Sequence, residues 1–115
     1  MIESTNLISD LNDCMRSWKQ FMPDLKFLCH YSLHENSIII DLIHVPVNRR
    51  RKGICGDIVC EVLEIAQIHQ IPTRLLPDEY LGTPLNVLYK MYKSYGFVNE
   101  TSGWMFANPK PALLS

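Results

Sequence analysis

The chain has 115 residues, 47% of them hydrophobic and 20% charged, with a formal net charge of −1. That size allows one domain and one core, and that composition excludes a disordered or fibrous polymer. A near-neutral balance supplies no global field toward nucleic acid or membrane, and no apolar run is long enough to cross a bilayer.

Leu7, Leu11, Met15, Trp18 and Met22 recur at helical spacing and predict an amphipathic helix from about residue 5 to about residue 21. Ser4 or Thr5 is the expected cap, and Pro23 the stop. Trp18 and Phe21 read as core aromatics, with a cleft-lining role for this helix as the alternative. Leu25 to Leu33 then alternates, with Leu25, Phe27, Cys29, Tyr31 and Leu33 on the apolar side. His34, Glu35 and Asn36 supply a turn into a second strand, Ser37 to Val45, which is apolar on both faces except for Asp41 and His44. Even spacing puts Asp41 and Val45 on one face of an ideal strand.

Pro46 to Gly53 breaks the strand, and the period then changes. Ile54, Ile58, Val62 and Ala66 form one row, with Cys55, Val59 and Leu63 beside it, so a long helix runs to about Gln70. At its start stand Arg49, Arg50, Arg51, Lys52, Gly53 and Gly56. Unpaired N–H groups at a helix start, glycine that admits a ligand, and nearby cations together read as a pyrophosphate cradle. Ile71 to Leu76 follows as a strand, parallel to the one before the helix because the connection is a crossover. Thr83 is the expected cap of another helix, with Pro84 at its first position, and Gly96 ends it. Phe97 to Asn108 closes as a hairpin, and the proline-containing tail is expected to be loose.

Two motifs in this order carry a family resemblance. Arg50-Arg51-Lys52-Gly53-Ile54-Cys55 resembles the acyl-CoA-binding signature of the GNAT family of N-acetyltransferases, Arg/Gln-x-x-Gly-x-Gly/Ala, with Cys55 in place of the last small residue and Gly56 next to it. Tyr92-Lys93-Ser94-Tyr95-Gly96-Phe97 resembles the family's Tyr-x-x-x-Gly-Phe landmark. The resemblance spans roughly Phe27 to Phe106. It implies an α/β (mixed α+β) acyl-CoA N-acyltransferase fold, a central mixed sheet flanked by helices, with the family's first strand missing. The chain is also similar to compact bacterial and phage members, including acetyltransferase-type anti-CRISPR proteins, in its Ile40-Asp41 pair.

The resemblance further implies acetyl transfer from acetyl-CoA to a primary amine, a protein lysine or N-terminus among the candidates. The cofactor-binding residues it implies are Ile43, His44, Val45, Arg50, Arg51, Lys52, Gly53, Ile54, Cys55 and Gly56. Tyr92 would protonate the leaving thiolate, and a backbone N–H near Val45 would polarise the thioester carbonyl. An amine must lose a proton to attack, and Asp41, His44 or water is the candidate base. Ile39 stands where many lysine acetyltransferases have glutamate. Cys14, Cys29, Cys55 and Cys60 show no CxxC spacing and read as reduced, mostly buried thiols of a cytoplasmic protein, and no metal site is expected. The rival readings are a small-amine acetyltransferase, a degenerate GNAT that binds CoA or a protein partner, and a nucleic-acid patch at Arg49 to Lys52.

Overall fold

Lys26–Ser32 and Ser37–His44 pair antiparallel as strands β1 and β2, the expected hairpin. They are seen in a computed structural model that describes residues 2–50, 53–78, 83–100 and 102–111. Asn36 takes the left-handed conformation of the turn (φ 48°), and its side-chain oxygen accepts a hydrogen bond from Tyr31 Oη at 2.7 Å. Asparagine tolerates that region better than a branched residue does. Leu33, expected on the apolar side of β1, lies in the turn instead and is 82% exposed.

Helix α1 spans Ile2–Phe21, so Ser4 and Thr5 lie within its first turns and neither is the cap. Its buried positions Leu7, Leu11 and Cys14 follow the helical period. Phe21 breaks the expectation of a core aromatic: it is 66% exposed. Helix α2 spans Ile54–His69 and buries Ile58, Val59, Val62, Ile65 and Ala66. Strand β3 (Thr73–Leu75) follows and pairs parallel with β2. Helix α3 runs over Leu85–Ser94 with Pro84, not Thr83, at its N-cap and no side-chain cap. Strands β4 (Val98–Asn99) and β5 (Met105–Ala107) make the closing hairpin.

Both later helices end in the same way. After α3, Gly96 (φ 102°) donates to Lys93 O and Phe97 N donates to Tyr92 O, each at 3.0–3.1 Å. After α2, Gln70 (φ 55°) donates to Gln67 O and Ile71 N to Ala66 O. These paired bonds satisfy the last carbonyls of each helix, and they require a left-handed residue. The second site takes one without glycine. The tail is also held, contrary to expectation, through Lys110. Its N–H donates to Gln67 Oε1 at 2.8 Å, and its carbonyl accepts from the side-chain amides of Gln67 and Gln70.

The strand order is β1-β2-β3-β5-β4. Residues opposite each other in register share a face. Cys29, Ile40, Leu75 and Met105 form one inner row, and Tyr31, Ile38, Thr73 and Ala107 the next. Both rows lie in one core with the buried residues of α1 and α2. Met105, Ile38 and Ile58 are fully enclosed there, each burial contributing about 1.5–3 kcal/mol relative to exposure. The outer row is His30, Ile39, Arg74, Phe106 and Val98. Arg74 crosses this face, held by Glu35 and by two bonds to Glu100 at 2.8 and 3.0 Å, with Trp104 at 5.1 Å beneath its guanidinium.

One register break matters for the site. Leu28 faces Leu42 while Cys29 faces Ile40, so β2 carries one extra residue, Asp41. Such a bulge reverses the parity of everything after it. Ile43 and Val45 therefore point to the inner face and Leu42 and His44 to the outer. Asp41 does not share a face with Val45, as even spacing predicts. It is exposed, and its carboxylate meets His30 Nδ1 on the outer side at 2.7 Å.

Candidate functional site

Strand β2 pairs with β3 only from Ile38 to Ile40; it continues to His44, while β3 ends at Leu75. Beyond that point the two strands part. One edge of residues 41–44 faces β1, and the other opens onto a cleft of about 480 Å³. The far wall comes from Leu75 to Asp78 and from α3, and the floor from the first turn of α2. The bulge sits where the parting begins, so it turns the backbone of β2 into the opening.

Asp41, Ile43, His44, Val45, Arg50, Gly53, Ile54, Cys55, Gly56 and Tyr92, ten of the residues singled out from sequence, all line this cleft. Arg51 and Lys52 lie outside the described residues. Gly53 is the N-cap of α2 at φ 76°, and a Cβ built on it would meet nothing within 4 Å. Its backbone is thus open to a ligand, beside N–H groups that the helix leaves unpaired. Gly56 has a different reason to be glycine. A Cβ there would lie 2.8 Å from Tyr95 Oη, so the hydroxyl of Tyr95, the C-cap of α3, packs directly onto this backbone.

Arg50 is not a free cation. Its Nε donates to Val45 O at 2.9 Å, bridging a 3-10 turn at Val47–Arg49 and fixing the end of β2 to the start of α2. Of the run from Arg49 to Lys52 weighed as a nucleic-acid patch, Arg50 is thus engaged by a protein acceptor, and elsewhere Arg16 pairs with Asp13 and Arg74 with Glu100. Arg49 remains exposed at the cleft mouth.

On the opposite wall Tyr92 is 8% exposed, packed edge-on against Phe97 and Tyr95 at 5.9 and 6.4 Å. Its hydroxyl makes no hydrogen bond to another described residue. Burial pushes the Tyr92 phenol up, and the nearby Cys55 and Tyr95 add to the shift. Burial likewise pushes the Cys55 thiol up to about 11. Both groups stay protonated at neutral pH, so Tyr92 keeps its hydroxyl proton and Cys55 is a poor nucleophile. Cys14 and Cys29 are buried but Cys60 is exposed, so the thiols are less uniformly enclosed than their sequence context predicts.

Sequence reading missed four residues of this site. His30 carries no signal of its own there, and only the bulge brings Asp41 to it. Leu88 and Met91 form an apolar wall on α3, a role their spacing with Tyr92 and Tyr95 permitted but did not specify. Tyr95 had no sequence signal for its contact with Gly56. Among the described residues no group of His, Cys, Asp and Glu side chains forms a metal site. No described helix is long and apolar enough to cross a membrane.

No family model matches the sequence, and no curated protein does. Among solved structures, Ard1 from Thermoplasma volcanium matches with a TM-score of 0.54 at 16% identity, over 84% of this chain and 78% of that one. Naa50 from Arabidopsis thaliana, solved in complex with the bisubstrate analogue CoA-Ac-MVNAL, matches with a TM-score of 0.48 at 15% identity, over 71% of this chain and 60% of its own. At such identity the likeness is one of fold.

Proposed function

We propose that this chain, which has the fold of the GNAT acyltransferases, is an N-acetyltransferase that moves an acetyl group from acetyl-CoA to a primary amine. The observation that carries the reading is the cleft itself. It joins a strand edge and a buried tyrosine hydroxyl, both without a partner among the described residues, to a glycine-opened helix start. Acetyl-CoA supplies the activated thioester. The residues fit it in kind: an extended chain of amides suits the β2 edge at 41–44, as a strand added to a sheet does. A pyrophosphate suits Gly53 and the start of α2. Arg50, already bonded to Val45, would keep these two elements in fixed relation.

The acceptor amine must be neutral to attack a carbonyl. Asp41, lining the cleft and hydrogen-bonded to His30, is the group we assign to take its proton, with His30 as the group that positions it. N–H groups of the β2 edge polarise the acetyl oxygen. Tyr92 then gives its proton to the departing thiolate. No covalent acetyl-cysteine is needed, which agrees with the protonated state of Cys55. A protein lysine or N-terminus suits an open cleft at least as well as a small amine. The free cysteines fit a reducing, cytoplasmic setting. Cys55, at a position where the GNAT signature has Gly or Ala, favours one alternative, a CoA-binding module without transfer.

Calorimetry with CoA and acetyl-CoA tests the reading. We expect saturable binding, weakened by Arg49→Gln. No heat and no thermal shift at millimolar CoA would remove the proposal.

A further inference from the structure

The outer face of the sheet carries no described helix. Buried side chains of α1, α2 and α3 all lie in one core with the inner rows, and the Tyr95 hydroxyl sets the end of α3 against α2. Ile39, buried on the outer face, stands outside that core. The bulge makes this bare face continuous with the cleft. Asp41, Leu42 and His44 line the cleft yet turn to the outer side, where Asp41 meets His30. Beside them Leu28, opposite Leu42 in register, is 55% exposed, and on the far bank of the cleft Leu76 is 50% exposed. Exposed leucines on both banks of an acidic opening are an apolar surface that acetyl transfer itself does not use.

We infer that this bare face is a docking surface for a protein acceptor: it seats a segment whose amine enters the cleft past Asp41 and whose neighbouring apolar side chain rests on Leu28 and Leu42. Its role in transfer rests on the acetyl-CoA reading above. Three features select that occupant. Leu42 follows Asp41 directly, so a chain lying over Leu28 and Leu42 is already beside the carboxylate assigned to take the amine's proton. Carboxylates also outnumber cations here: Glu35, Asp41 and Glu100 stand against Lys26 and Arg74, and the two glutamates share Arg74. That excess attracts a cationic segment, whereas a second copy laid face to face would set the same excess against itself. Finally, a small hydrophilic amine in the cleft would leave Leu28 and Leu76 in water. A polypeptide covers them while its amine is held, and burial of each leucine favours the complex.

The probes are two peptides, acetyl-Gly-Leu-Lys-Leu-Gly-amide and acetyl-Gly-Ser-Lys-Ser-Gly-amide, and the small amine N-acetyl-lysine methylamide. Each is titrated into the isotope-labelled full chain by amide NMR with CoA present, and each is assayed for thiol release from acetyl-CoA. The leucine peptide should shift the amides of Leu28, His30, Leu42 and Leu76. Its kcat/KM should exceed that of the serine peptide by about tenfold, the low end of what burying one leucine side chain brings. Leu28→Ser should bring the two peptides level and leave N-acetyl-lysine methylamide unchanged. Leu28 is exposed enough for this variant to fold. No shift by either peptide, or equal shifts and rates for both, overturns the docking surface while leaving the acetyl-CoA reading intact. An equal loss for all three acceptors in Leu28→Ser also overturns it, by placing the effect in the cleft. A dimer in sedimentation velocity that Leu28→Ser dissociates gives the face to a second copy and overturns it too. A wild-type chain that binds no CoA removes the acetyl-CoA reading, and leucine-peptide shifts at Leu28 and Leu42 in that chain would still support the docking surface.

Discussion

Gly56→Ala separates two reasons for a glycine at the start of α2. On helix propensity alone, alanine stabilises an interior helical position by about 1 kcal/mol relative to glycine. The new methyl, however, would lie 2.8 Å from Tyr95 Oη, 3.2 Å from Cζ and 3.3 Å from Cε1. A phenol ring cannot fold back as a lysine tip can, so it must tilt, and overpacking of this kind costs about 1–3 kcal/mol. The clash outweighs the propensity gain, and the net loss is about 1 kcal/mol, or roughly 4 °C in Tm for a domain of this size. Tyr95→Phe removes the closest atom and leaves ring carbons as the nearest neighbours, so Gly56→Ala should be neutral or stabilising in that background. The difference between backgrounds, about 1 kcal/mol, is a coupling that urea unfolding of the four proteins can resolve. An equal rise in stability from Gly56→Ala in both backgrounds would refute the contact. Gly56 would then be glycine for the ligand and not for Tyr95.

Tyr92→Phe should lower acetyl transfer by about 10²–10⁴-fold while leaving CoA affinity and Tm near wild type, since the hydroxyl has no hydrogen-bond partner among the described residues to lose; turnover like wild type would return Tyr92 to packing alone. Cys55 should resist iodoacetamide at pH 8 while exposed Cys60 reacts, because the pKa raised from 9.0 to about 11 cuts the thiolate fraction by two powers of ten and moves its reaction to higher pH. Peptide mapping after alkylation reads both sites in one sample, and labelling of Cys55 as fast as Cys60 would contradict its burial.

What sequence made legible follows from how local each signal is. The β1–β2 hairpin, the helix after the Arg-Lys run and the parallel return at Thr73 each rest on a change of period within a few residues, and each stands as expected. Gly96 announced the end of α3 because only a left-handed residue closes that helix so. The acyl-CoA motif and the tyrosine landmark converge on one cleft although 36 residues separate Gly56 from Tyr92 in sequence. Local failures are confined to element ends, such as the caps of α1 and α3 and Leu33 in the turn; the larger ones are non-local. A bulge leaves no mark in composition, so the parity argument for Asp41 chose the wrong face. Phe21 follows Trp18 by three residues, a helical spacing, yet stands 66% exposed as the last residue of α1. Gln70 and Lys110 hold each other across 40 residues, and nothing at either position signals the other.

The strand order has a consequence for how the chain acquires its shape. β5 follows β4 in the chain yet lies between β3 and β4. Until β5 is added, β4 has no neighbour, and β3 presents an open edge and a row of unpaired amides. During synthesis the hairpin and the β2–α2–β3 unit can therefore form early, while the second half waits for residues 105–107 to emerge and insert. Late closure of an interior position delays the non-local part of folding and leaves an aggregation-prone edge exposed in the interval. Crowding at the ribosome, a chaperone that shields β3, or a fusion that slows insertion would each act on this one step.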